Sequence, residues 1–143
     1  MVDKWLGSSG IVHDFGGSAV ASIFKAAAPI SKNLFVKLAA DGPPPLVRQA
    51  TAVDYGVIGV ALSDAEEGSM VPVAIAGIVK VEAGGTIVAG QAVCSDNNGK
   101  AVALGDQAVN EGGTATYTIY YAKRAGIALQ SAEEGDKILI LLR

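Results

Sequence analysis

The chain has 143 residues, of which 50% are hydrophobic, 6% aromatic and 17% charged, and its formal net charge is −3. That length and apolarity build one folded core, which excludes disorder over most of the chain and leaves too little for two full domains. The small acidic balance offers no basic field for phosphates, so no nucleic acid is expected as a direct partner, and 18 glycines among short β-branched runs argue against a helical bundle.

The first residues set Trp5, Leu6, Ile11, Val12 and Phe15 irregularly among Gly7, Gly10, Gly16 and Gly17. Neither the helical nor the strand period holds for long, and this pattern predicts an extended N-terminal arm whose large apolar side chains gain most on finding a groove. No apolar stretch of a secretory signal follows Lys4 and Trp5, so synthesis and folding in a cytoplasm are expected. Residues 18–28, with Ile23 and Phe24, are compatible with a short helix that stops before Pro29. Residues 1–28 are therefore read as an arm with at most a short helix, and 29–143 as a single β-rich domain.

Strand signals begin at Asn33, where Leu34, Val36 and Leu38 alternate with Phe35 and Lys37. Asp41-Gly42-Pro43-Pro44-Pro45 then forces a surface loop, a commoner use of three prolines beside a turn than a ligand for a proline-binding domain. Further strands are expected over 57–62, 70–81, 86–88, 91–94, 100–104, 114–121 and 137–142, with Ser95-Asp96-Asn97-Asn98-Gly99 as a hairpin tip. The longest apolar run, 70–79, contains Pro72 and Gly77 and is half the ~20 residues of a spanning helix, so no membrane partner is expected despite a mean hydropathy of +0.39. With so little charge to cover its surface, the protein is expected to bury part of that surface in an oligomer or lattice.

Residues 59–73 align without gaps on 126–140, with Gly, Ala, Leu, Ala, Glu, Glu and Gly recurring in register. Each copy reads as a strand, a polar bend at Glu-Glu-Gly and a second strand with alternate aliphatic side chains. Two such corners in one domain predict an all-β fold, a compact small barrel or sandwich, and are too few for a solenoid.

Nothing in this pattern carries catalysis. His13 beside Asp14, near Ser8 and Ser9, supplies the residue types of a nucleophilic site, but they crowd a glycine-rich arm instead of converging from a rigid scaffold. Cys94, the single cysteine, excludes an intramolecular disulfide and a cysteine-based zinc cluster, and reads as a buried, inert thiol. The clusters Asp64-Glu66-Glu67 and Glu133-Glu134-Asp136 recur at one place in the repeat, which marks solvated turns over an acid–base pair or a calcium site. Asp96-Asn97-Asn98-Gly99 lacks the alternating ligands and closing Glu of a calcium loop. No Gly-Lys-Ser/Thr follows Gly84-Gly85 or Gly112-Gly113, and Gly99-Lys100 is followed by Ala101, so none is a phosphate cradle. No enzyme, cofactor or metal is expected.

From about residue 30 to the carboxyl end the chain resembles the decoration, or cement, proteins of tailed-phage capsids. The carrying residues are Pro29-Ile30-Ser31-Lys32-Asn33-Leu34-Phe35-Val36-Lys37-Leu38, Gly59-Val60-Ala61-Leu62 with its acidic turn, Ala76-Gly77-Ile78-Val79-Lys80-Val81, Ala89-Gly90-Gln91-Ala92-Val93, and Gly126-Ile127-Ala128-Leu129. The order of these glycine-punctuated strands, more than any one motif, carries the likeness. The resemblance implies a β domain on the outer surface of an assembled head, a virion component with the major capsid protein as partner. It further implies a homotrimer with an N-terminal segment reaching over neighbours, here through Trp5, Leu6, Ile11, Val12 and Phe15. Two other readings stand beside it. Residues 79–93 have the cadence of a biotinyl or lipoyl carrier domain with Lys100 at a hairpin, although neither attachment motif flanks that lysine. A β-rich oligomeric structural protein unrelated to viruses is the other.

Overall fold

The computed structural model describes residues 10–14, 17–51, 57–104, 107–111, 114–118 and 124–142, with 10–14, 17, 107–111 and 114–118 described by backbone pairing alone. Among the described residues there is no helix, and the fold is all-β. The strands are β1 (Gly10–Asp14), β2 (Gly17–Ala26), β3 (Phe35–Ala40), β4 (Leu46–Gln49), β5 (Val57–Ala61) and β6 (Met70–Glu82). They continue with β7 (Ala92–Ser95), β8 (Ala101–Ala103), β9 (Gln107–Glu111), β10 (Thr114–Thr118), β11 (Gly126–Ala128) and β12 (Lys137–Leu142). Ten of them form one sheet in the order β1-β2-β4-β3-β5-β6-β12-β11-β7-β8, while β9 and β10 form a separate pair.

The pairings close on themselves twice. β2 pairs β4, β4 pairs β3, β3 pairs β5, β5 pairs β6 and β6 returns to β2, a ring of five strands. β6 also pairs β12, which leads through β11 and β7 to β8. A parallel bridge from Ala101 to Ala83, with Gly84 N donating to Ala101 O at 2.8 Å, brings β8 back to the end of β6. Two small barrels therefore share one long strand, with Met70 of β6 opposite Lys25 in the first and Glu82 opposite Lys137 in the second. At the passage between them Gly77 has φ 100°, and a Cβ there would press on the Ser18 and Ala19 backbone of β2.

The recurring sequence is half of a larger structural duplication. The backbone exchange between Ile30 and Ala65 recurs between Ile87 and Ala132. Likewise Gly68 N donates to Ala26 O at 2.8 Å as Gly135 N does to Ala83 O at 2.9 Å, and Asn33 N to Ala61 O at 2.9 Å as Gly90 N does to Ala128 O at 2.7 Å. Residues 59–73 correspond to 126–140, and residues 26–36 correspond to 83–93. Asn33, with φ 66°, holds the left-handed position that glycine fills at Gly90. At Gly59 and Gly126 alike, a Cβ would strike a carbonyl of the paired strand, that of Ala74 or of Leu141, so both copies keep glycine for close approach.

Alternation fills the barrels. Val36, Val47, Ala61, Val71 and Val73 pack with Ala26 and Ile30 inside the first. Their counterparts Val93, Ala101, Ala128, Ile138, Ile140, Ala83 and Ile87 are buried in the second. The second cluster also takes in Phe35, Val60 and Ala74 from the outer face of the first barrel, so the two barrels are packed against each other.

Two local expectations change, and two strands were not anticipated. Residues 18–28 are not helical: 17–26 form β2, because Ile23 and Phe24 suit a strand and eight register pairs with β6 outweigh a weak helical preference. Residues 86–88 shrink to the single bridge at Ile87, since Ala89 and Gly90 turn away at once. The four-residue β4 and the polar β9 show no alternation long enough to read from sequence and exist through their partners.

Candidate docking surfaces

Of the five predicted arm anchors, Ile11 and Val12 fall in β1, in register with Val20 and Ala19 of β2, while Trp5, Leu6 and Phe15 lie outside the described residues. Val20 is also opposite Ala76 of β6, and the register shift beside it leaves Ile75 without a partner on β2. Val20 and Ile75 are both exposed, which makes an apolar patch beside the β1 edge of the sheet. Val88 and Leu129 of the second barrel are exposed as well. The segments that carry them are joined by the bond from Gly90 N to Ala128 O.

The acidic clusters are built into turns. Asp64 Oδ1 accepts from Lys32 N at 2.8 Å, and at the equivalent place Ser131 Oγ accepts from Ala89 N at 3.1 Å. Glu133 Oε2 accepts from Thr86 Oγ1 at 2.9 Å, and Asp136 Oδ2 from Glu133 N at 3.0 Å. A shallow, open cleft lies over each corner, one along Asp64, Glu66 and Met70, the other along Thr86, Val88 and Glu133. Among the described residues no group of three His, Cys, Asp or Glu is placed to hold a metal ion. These carboxylates accept from backbone and hydroxyl donors, the work of a turn and not of a proton relay.

The hairpin tip at 95–99 is docked instead of projecting. Asp96 Oδ1 accepts from Asn98 N at 2.8 Å and Lys100 N at 2.9 Å, which closes the turn. Gln49 Nε2 donates to Asn98 O at 2.8 Å and Phe35 N to Gly99 O at 2.8 Å, fastening the turn of the second barrel onto β3 and β4 of the first. Lys100 Nζ is 3.0 Å from Glu82 Oε2. The hydrogen bond to the Glu82 carboxylate, and then its charge, raises the Lys100 pKa above the ordinary 10.5. Lys100 thus acts within an ion pair, and Cys94 is half-buried in β7, more accessible than its apolar sequence neighbours suggest.

The exposed apolar residues that sequence patterning passed over include Val20, Ile75, Val88 and Leu129. Ala26, Ile30 and Val36, repeated at the same spacing by Ala83, Ile87 and Val93, were the signal that would have revealed the full duplication.

The sequence matches the phage cement protein family over residues 16–143. A search of curated proteins gives no match. The fold is similar to the crystal structure of the head fiber gp8.5 N base of bacteriophage phi29, with a TM-score of 0.60 and 19% identity over 87% of this chain and 93% of that one.

Proposed function

The chain belongs to the phage cement protein family, a phage structural, capsid-associated component of the virion, and from that premise we propose that it binds the outer surface of the assembled head and bridges neighbouring subunits of the major capsid protein. The family match over residues 16–143 carries this reading. The likeness of fold to a head fiber base and the exposed apolar surface at Val20, Ile75, Val88 and Leu129 support it. Bridging stabilises by linkage: a protein that binds the assembled lattice and not its dissociated subunits shifts the equilibrium toward assembly, and many weak copies add through avidity. No catalytic step is part of the proposal.

The N-terminal segment, with Trp5, Leu6, Ile11, Val12 and Phe15, serves as the reaching arm, and copies associate as a closed homo-oligomer, the trimer being favoured by resemblance. The experiment is sedimentation of purified heads through a density gradient with the full chain and with a chain lacking residues 1–17. The full chain is expected to travel with the heads in stoichiometric amount and to raise their thermal disruption temperature, and the shortened chain to be recovered mainly in light fractions. Undiminished binding by the shortened chain removes the arm from the proposal, and absence of the full chain from the heads overturns it.

A further inference from the structure

An asparagine followed by glycine is open to attack on its side-chain amide by the next backbone nitrogen, because glycine has no Cβ to hinder the approach. Of Asn33, Asn97, Asn98 and Asn110, only Asn98 precedes a glycine. In the fold this pair sits where the two barrels meet: Asn98 is exposed in the 95–99 turn, while Gly99 is buried against the first barrel. A Cβ on Gly99 would lie 2.8 Å from Gln49 Cγ, 3.2 Å from Phe35 O and 3.3 Å from Leu34 Cβ, so the first barrel closes tightly on the main chain at this point.

Both moving parts of that attack are held. Gly99 N must give up its proton and face Asn98 Cγ, yet its N–H donates to Asp96 O at 3.2 Å. Facing Cγ is set by rotation about the Asn98 Cα–C bond, and the carbonyl that would swing with it, Asn98 O, accepts from Gln49 Nε2 at 2.8 Å. Asn98 N donates to Asp96 Oδ1 at 2.8 Å, and Gly99 O accepts from Phe35 N at 2.8 Å. Two of these four bonds, those from Gln49 and Phe35, come from the first barrel. The turn is therefore clamped by its neighbour as well as by Asp96, and the peptide gains the freedom to react when the barrels part at this point.

We propose that Asn98–Gly99 is a self-modification site that the barrel junction keeps shut. When the turn leaves Gln49 and Phe35, Gly99 N bonds to Asn98 Cγ, the Cγ–Nδ2 bond breaks, and ammonia leaves with the Gly99 proton. Water then opens the cyclic imide. Opening at the side-chain carbonyl gives aspartate on an unchanged main chain; opening at the main-chain carbonyl gives isoaspartate, whose main chain runs through the side chain and is longer by a methylene. The bonds that hold Asn98 are made by its backbone N and O, so aspartate at 98 keeps the junction. Isoaspartate displaces Gly99 against Gln49 and Phe35, and the turn no longer returns to its seat. An opening that lasts long enough is thus made permanent. Neither step involves the capsid, so loss of this site and loss of head binding are separate results.

The test follows conversion at residue 98 in the full chain, incubated without heads in mildly alkaline buffer, by peptide mapping that separates aspartate from isoaspartate. Folded wild type, folded Gln49→Ala and wild type unfolded in urea are compared. The unfolded chain is expected to convert at Asn98 about tenfold faster or more than folded wild type, since reaction in the folded state waits on local opening. Gln49→Ala, lacking one of the four bonds, is expected to convert about two- to tenfold faster than wild type with unchanged circular dichroism. Should Gln49→Ala misfold, Gln49→Met removes the same donor and keeps the length. After removal of urea, the isoaspartate chain is expected to melt at a lower temperature than the unconverted chain, and Asn98→Asp to melt close to wild type. Folded wild type that converts as fast as the unfolded chain, or Gln49→Ala that converts as slowly as wild type, overturns the role of the junction. Absence of conversion at Asn98 in urea overturns the site, and an isoaspartate chain that melts like wild type overturns its consequence.

Discussion

Lys100 shows how a single side chain changes meaning with its surroundings. Read along the chain it is a lysine at a hairpin; in the fold its ammonium is 3.0 Å from Glu82 on β6, and it fastens the 95–100 turn to the shared strand. Because this contact raises the Lys100 pKa above 10.5, its stabilisation is fully present below the unfolded-state value and is lost as pH rises through the folded-state value. Glu82→Gln is therefore expected to lower the melting temperature at neutral pH, with the difference from wild type vanishing in strongly alkaline buffer. Melting curves across that range check it, and a difference that persists after the lysine has lost its proton would contradict the assignment. The hairpin was readable from Asn97, Asn98 and Gly99, whose turn preference is local. Its docking on Gln49 and Phe35 was not, since Gln49 is 49 residues from Asn98 and Phe35 lies farther still from Gly99.

Strand β6 makes one folding unit of two barrels. Its first half supplies Val71 and Val73 to one interior, and its second half Val81 to the cluster of the other. Losing either barrel strips partners from the strand the other depends on, so a single cooperative unfolding transition is expected. Ile138→Ala in the second barrel is expected to cost about 2–5 kcal/mol by removing buried methyl groups and leaving a cavity. Val71→Ala, at the equivalent place in the first barrel, is expected to move the same transition by a smaller amount. Calorimetry with circular dichroism checks this, and two separated transitions in either variant would show that the barrels fold independently. The Glu-Glu-Gly corners and the strands beside them were readable because bends and alternation are local properties. β2 was not, because 17–26 has only a weak preference of its own and takes its form from β6.

The whole molecule is sparing with charge and generous with small apolar side chains, and the proposed association between copies follows from that. A net charge of −3 spread over 143 residues provides little long-range steering, while Val20, Ile75, Val88 and Leu129 provide exposed apolar area. Association between copies is therefore expected to persist, or to strengthen slightly, from low to high salt, as apolar burial does and ion pairing does not. Sedimentation at both salt concentrations measures this, and an oligomer that dissociates in high salt would point to charged contacts instead.

Composition, turn residues and the 59–73 and 126–140 recurrence were enough for an all-β chain with two matching corners, because glycine geometry and side-chain alternation act over a few residues and leave their mark in the order of residue types. The likeness of those glycine-punctuated strands to cement proteins was visible for the same reason. The closure of two barrels, the strand they share, and the full burial of the Phe35 row beside the half-buried Ile127 row depend on pairings between distant residues. Two stretches of equal pattern, such as Val60 with Leu62 and Ile127 with Leu129, meet different fates there: Val60 is fully buried in the cluster shared with the second barrel, while Ile127 is half-buried and Leu129 exposed.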